Sequence, residues 1–148
     1  MAFPTLSSPH TARPNETRRV MAEVLLALLP GIAALVWYFG WGVVINIALA
    51  SAVAVAAEAA VLALRGRPAL PAVSDLSTLV TAWLFAVSVP PTLPWWLTLV
   101  GVVFAVVVVK HLYGGMGQNP FNPAMAGYVL LLVSYPVQMT AWLPPSVL

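Results

Sequence analysis

Charge is what this chain has least of. Its 148 residues include six Lys or Arg and four Asp or Glu, 7% in all, while 61% are hydrophobic and mean hydropathy is +0.96. A soluble domain carries roughly 25% charged residues, so this composition cannot build a solvated surface and implies an integral membrane protein. Cysteine is absent, which excludes disulfides, zinc–thiolate and iron–sulfur ligation and thioether-linked haem. The two histidines, His10 and His111, stand too far apart for metal-ligand spacing, and no metal is expected. Also missing are a phosphate-binding glycine loop, a dinucleotide fingerprint, an HExxH pair and a nucleophile-elbow serine. No residue is nominated as catalytic. The few cations, Arg13, Arg18, Arg19, Arg65, Arg67 and Lys110, avoid the middles of apolar runs. They fit topology signals rather than a nucleic-acid face.

What is present is a series of apolar segments: Val20 to Phe39, Trp41 to Leu64, about Val73 to Val89, Trp95 to Val109, and Ala124 to about Met139. A full helical span needs about 20 residues. The first two suffice, whereas the last three are short and bracketed or interrupted by Pro71, Pro90-Pro91, Pro94, Pro120, Pro123 and Pro136. Short, proline-interrupted spans point to broken helices around a buried site. The expected fold is therefore all-α and membrane-embedded, with about five transmembrane helices, some short or broken. Residues 1–19 read as a cytoplasmic N-terminal segment and 20–148 as the membrane domain. All six cations fall on one side of a five-crossing path, which places the N-terminus in the cytoplasm by the positive-inside rule. Trp37, Tyr38, Phe39, Trp41, Trp95-Trp96 and Trp142 suit interfacial anchors. Pro30-Gly31 predicts a kink in the first span. The alanines at 48, 52, 56 and 60 predict a close-packing face on the second.

Ionisable residues inside a membrane are functional candidates because burying them is costly. Glu58 lies in the second span, two turns before Arg65, so either it snorkels to the interface beside Arg65 or it belongs to an ion or proton path. Asp75, in Ser74-Asp75-Leu76-Ser77-Thr78, either caps the third helix or joins Ser77, Thr78 and Thr81 in a polar pocket on that path. Glu23 follows Arg19 by four residues, as in an interfacial ion pair. Asn46 suits an interhelical hydrogen bond. Lys110 and His111 close the fourth segment, where a cation favours a helix C-terminus.

The stretch Gly114-Gly115-Met116-Gly117-Gln118-Asn119-Pro120-Phe121-Asn122-Pro123 sits between two apolar segments. Irregular backbone at membrane depth survives only where protein or a water-filled cavity surrounds it. Gln118, Asn119 and Asn122 offer donors and acceptors that could meet a flavin edge, an ion or neighbouring carbonyls. A site and a structural re-entrant loop explain the stretch equally well.

The sequence LYGGMGQNPFNPAMAGYVLLLVSYPVQMTAWLPP, with SDLSTLVTAWLFAVSVPPTLPWW, VMAEVLLALLPGIAALVWYFGWG and SSPHT upstream, closely resembles the D subunit of the Rnf electron-transport complex. That subunit is related to the B subunit of the sodium-translocating NADH:quinone oxidoreductase. The resemblance covers essentially the whole chain. It implies a flavoprotein subunit of a redox-driven Na⁺ or H⁺ pump in the bacterial inner membrane. Such a complex transfers electrons between ferredoxin and NAD, and other Rnf-type subunits and the lipid bilayer are its partners. The implied fold is the first of two inverted repeats in a urea-transporter-like architecture, with Gln118, Asn119 and Asn122 lining the repeat interface. The implied cofactors are FMN and riboflavin.

The chain departs from the family in one respect. The family's FMN-bearing threonine lies in a small-residue run ending in Ala-Thr-Pro or similar, and that motif is absent here. Thr140 occupies a different motif, so the modification is not transferred to it. The chain is expected to be the N-terminal portion of a longer subunit and to be inactive alone. Half of a channel or secondary transporter, or a non-catalytic membrane scaffold, are the alternative functions.

Overall fold

The computed structural model describes residues 14–67, 74–113 and 121–145, and all regular structure among them is helical. The first two helices are α1 (Pro14–Phe39) and α2 (Gly42–Leu64). At 1.5 Å per residue both exceed a hydrocarbon core of about 30 Å. They are joined at Gly40, whose φ of 82° ends α1 while its N–H still donates to Val36 O at 2.8 Å. Only glycine takes this left-handed conformation without strain. α1 begins at Pro14, inside the stretch read as a polar lead-in, and runs unbroken through Pro30.

Shorter elements follow. α3 (Ser77–Ser88) has 12 residues, about 18 Å, and stops before Pro90-Pro91. α4 (Trp95–Val103) continues without interruption into a π-helical segment, Phe104–His111. α5 (Pro123–Ser134) and α6 (Pro136–Thr140) split the expected fifth span. The break is at Tyr135 (φ −136°, ψ 59°), because Pro136 disfavours a helical residue before it.

α2 is the central element, packed against α1, α3, α4 and the π segment, while α5 packs on α3, α4 and the π segment. The core between them holds Ala50, Ala54, Phe85, Leu97, Val102, Val106 and Leu131. α4 and α5 approach very closely. A Cβ added at Gly127 would lie 2.6 Å from Gly101 O, and one at Gly101 would lie 2.5 Å from Phe85 Cζ. Small residues allow such contact between membrane helices.

The alanine face requires a correction. Ala48, Ala52, Ala56 and Ala60 are all exposed, and α2 instead buries Val43, Asn46, Ala50, Ala54, Glu58 and Leu62. From Asn46 onward both sets have four-residue spacing on one helix. The buried set carries Asn46 and Glu58, whose hydrogen bonds to other elements fix which face turns inward.

Contacts sort the helix termini into two ends. At one end Asn46 Nδ2 donates to Pro90 O at 3.1 Å. The Phe39 ring meets Trp142 edge-on at 5.6 Å, and Trp96 meets Tyr135 at 5.3 Å. At the other end Arg65 Nη2 donates to His111 O at 2.9 Å. Successive long segments therefore run in alternating directions, as five traverses of a layer require. Much of the remaining surface is apolar: Leu26, Trp37, Ile45, Trp95, Val129 and Val133 are all exposed, as lipid- or helix-facing side chains would be. The chain is an all-α integral membrane protein with two long apolar helices and several short ones.

Candidate functional site

At the end of the bundle that holds Arg65, three elements converge on one carboxylate. Glu58 lies six residues before the end of α2, about 9 Å along the helix, and is 1% exposed. Ser77 and Thr78 open α3, preceded by Leu76, whose φ of 64° is the left-handed conformation rarely taken by a side chain this bulky. Asp75 Oδ1 accepts the Ser77 N–H at 2.8 Å, holding this turn in place. The third contributor is Lys110, the penultimate residue of the π segment.

The Lys110 ammonium is fully satisfied. Nζ donates to Glu58 Oε1 at 2.7 Å, Ser77 Oγ at 2.9 Å and Thr78 Oγ1 at 2.5 Å. Those three bonds use its three protons. The other carboxylate oxygen, Glu58 Oε2, accepts from the Thr78 hydroxyl. The Glu58 and Lys110 side chains are only 1% and 6% exposed. A buried ion pair persists only where hydrogen bonds satisfy the remaining lone pairs and protons, and here they do. His111 Nε2 lies 3.4 Å from Glu58 Oε1, but its geometry makes no hydrogen bond and the atom is buried without a partner.

The π winding explains why Lys110 faces inward. From Gly101 onward, buried groups recur every four residues: Gly101-Val102, Ala105-Val106 and Val109-Lys110-His111. In an α-helix a period of four drifts about 40° per repeat, leaving Lys110 about 80° around from Val102. The wider π turn drifts the opposite way and returns Lys110 to the buried stripe. π segments of this kind are frequent at functional sites.

The nominated residues separate. Glu58 is central to the cluster, and the snorkelling alternative is corrected: its partners are Lys110 and Thr78, while Arg65 bonds the His111 carbonyl. Asp75 caps the start of α3 from beside the cluster, and Thr81 Oγ1 bonds the Ser77 carbonyl. The pocket expected around Asp75 is thus divided, with Ser77 and Thr78 turned to Lys110. Asn122 caps α5, its Oδ1 accepting Ala124 N–H at 3.0 Å. Gln118 and Asn119 lie outside the described residues. Arg19 and Glu23 make the expected pair at 3.0 Å, with both side chains exposed. Sequence reasoning missed Lys110 as the partner of Glu58. Read as an α-helix, the segment leaves Lys110 as a cation favoured at a helix C-terminus, and only the π register turns it inward.

A lateral groove of about 530 Å³ lies between the π segment and α5, lined by Phe104, Phe121, Asn122, Met125, Val129 and Leu130. Asn122 alone among these brings a side-chain amide.

Crossing helices with an apolar exterior and a buried, hydrogen-bonded ion pair define a polytopic membrane protein with an ionisable centre. Residues 5–146 match the family model described as NQR2, RnfD, RnfE, and the chain belongs to that family. It is 57% identical, over 98% of its own length, to the D subunit of the ion-translocating oxidoreductase complex of Citrobacter koseri. The same identity and coverage hold for the proteins of that name from Escherichia coli K12 / DH10B and O157:H7. In each case the chain spans 41% of the relative's length.

Proposed function

We propose that this chain forms part of a membrane subunit of an ion-translocating oxidoreductase, coupling flavin-mediated electron transfer between ferredoxin and NAD to movement of Na⁺ or H⁺. The observation that carries this reading is the 57% identity, nearly end to end, with subunits named for that complex. The buried Glu58–Lys110 pair supports it, because intramembrane ionisable groups mark ion pathways. Other subunits of the complex are its partners, and it sits in the bacterial inner membrane with its N-terminus cytoplasmic. Glu58 and Asp75 stand at the end of the bundle that carries Arg65, Arg67 and Lys110, which this orientation assigns to the cytoplasmic side.

FMN, with riboflavin, belongs to the full-length subunit in this proposal. Flavin, when bound, supplies the electron-carrying chemistry that side chains lack. Gln118, Asn119 and Asn122 are its candidates for lining the interface with the rest of the subunit. The exposed apolar faces of α1 and α2 also fit a second reading, in which this portion is scaffold and the remainder carries the redox work.

The test uses membrane vesicles containing the complex with the full-length subunit, monitoring ferredoxin-dependent NAD reduction together with cation uptake. Loss of both activities on deleting the subunit, and their return on complementation, is the expected result. Electron transfer that proceeds unchanged without the subunit would refute the proposal.

A further inference from the structure

α1 is the less embedded of the two long helices. From Thr17 to Phe39 none of its side chains is fully buried, although it leans on both α2 and α3. Between α1 and α3 this leaves a lateral groove of about 300 Å³, walled by Ala22, Leu25, Leu26 and Leu29 on one side and by Leu76 and Trp83 on the other. Every wall residue is apolar. Along α1 the walls run from Ala22 to Leu29, about 10 Å at 1.5 Å per residue. That is roughly two-thirds of one leaflet of a hydrocarbon core about 30 Å thick. Trp83 is the seventh residue of twelve in α3, away from the aromatic end where Trp96 and Trp142 lie, and its ring serves the groove instead.

The mouth of the groove is charged. Arg18 precedes Ala22 by four residues, so it stands on the same face of α1, one turn nearer the end of the bundle that holds Arg65. Its side chain is exposed and makes no hydrogen bond or ion pair among the described residues. The neighbouring carboxylates are engaged elsewhere: Glu23 with Arg19 at 3.0 Å, and Asp75, next to Leu76, with the Ser77 N–H at 2.8 Å. Arg67 adds a second exposed cation at this end. The stripe Arg18, Ala22, Leu25 and Leu29 thus sets a free positive charge at the head of an apolar channel.

An anionic phospholipid has the complementary order of chemistry, a phosphate at the interface and an acyl chain beneath it. Basic pockets between membrane helices take such headgroups, and a guanidinium pairs with phosphate oxygens in a bidentate fork. We propose that the α1–α3 groove binds one anionic phospholipid, its phosphate on Arg18 and an acyl chain along Ala22, Leu25, Leu29 and Trp83. The bound chain supplies the packing that α3 does not give α1. The site goes beyond the function proposed above and requires neither flavin nor ion movement.

The experiment uses the full-length subunit in its complex, reconstituted in phosphatidylcholine vesicles. These carry either phosphatidylglycerol or phosphatidylcholine with a photo-crosslinking diazirine on one acyl chain. Peptide mass spectrometry reads the labelling of residues 22–29 and 76–83. The phosphatidylglycerol probe is expected to label them about fivefold more than the phosphatidylcholine probe, the effect of one cation at an anionic surface. Arg18→Gln should erase that excess, and Arg67→Gln should keep it. Ala22→Phe, which leaves the arginine but fills the mouth of the groove, should lower labelling by both probes. Equal labelling of the wild type by the two probes would mark ordinary surrounding lipid and overturn the proposal. So would equal losses in R18Q and R67Q, which mark diffuse surface attraction, or unchanged labelling in A22F. Absence of label from both segments would also overturn it, by showing that the rest of the subunit or a neighbouring subunit fills the groove. Ferredoxin-dependent NAD reduction, read in the same vesicles, tests the function proposed above and not this site.

Discussion

Gly127→Ala tests whether the site depends on the closeness of α4 and α5. The added methyl would sit 2.6 Å from the Gly101 carbonyl oxygen and 3.3 Å from Ala105 Cβ, where ordinary contact begins at 3.4 Å. The shortfall at the carbonyl, about 0.8 Å, falls on helix backbone, which cannot turn aside as a side chain can. α5 must therefore back away from α4 at the start of the π segment. Overpacking of this kind costs about 1–3 kcal/mol. Against this, alanine gains about 1 kcal/mol over glycine in helix propensity, so a net loss of up to about 2 kcal/mol is expected. Gly31→Ala is the control, since nothing lies within 4 Å of its added methyl, and it should be neutral or stabilising. Denaturant unfolding of the full-length protein in mixed micelles measures both. If Gly127→Ala proved as stable as Gly31→Ala, the close approach of α4 and α5 would be wrong.

The polar contacts between helices can be tested in the same assay. Asn46→Leu removes the bond to Pro90 O and should destabilise by about 0.6–1.7 kcal/mol, the range for hydrogen bonds between membrane helices; no change in unfolding midpoint would show that the contact is dispensable. Glu58→Gln strands the Lys110 charge and should cost about 3–5 kcal/mol, whereas Arg19→Ala breaks an exposed pair worth about 0.5 kcal/mol or less. Equal effects of these two substitutions would contradict the difference in burial.

The solvent, the number of traverses and the family were all legible before any tertiary contact was known. Composition left no soluble alternative, the prolines marked where spans break, and the motif-bearing stretches carried the resemblance. Glu58 stood out because a carboxylate in an apolar run is rare and costly wherever it points. Its partner could not be read in the same way. Whether Lys110 snorkels or turns inward depends on the winding of the eight-residue segment that carries it, and FAVVVVKH is apolar enough for either an α or a π register. Likewise Ala48 and Ala50 begin equally plausible stripes, and only the reach of Asn46 to Pro90 and of Glu58 to Lys110 and Thr78 selects the buried one. Local periodicity fixes that a face exists. Which face is buried, and which charges meet across 20 to 52 residues of chain, is decided by hydrogen bonds between elements, because a buried polar group without a partner costs more than any local preference can return.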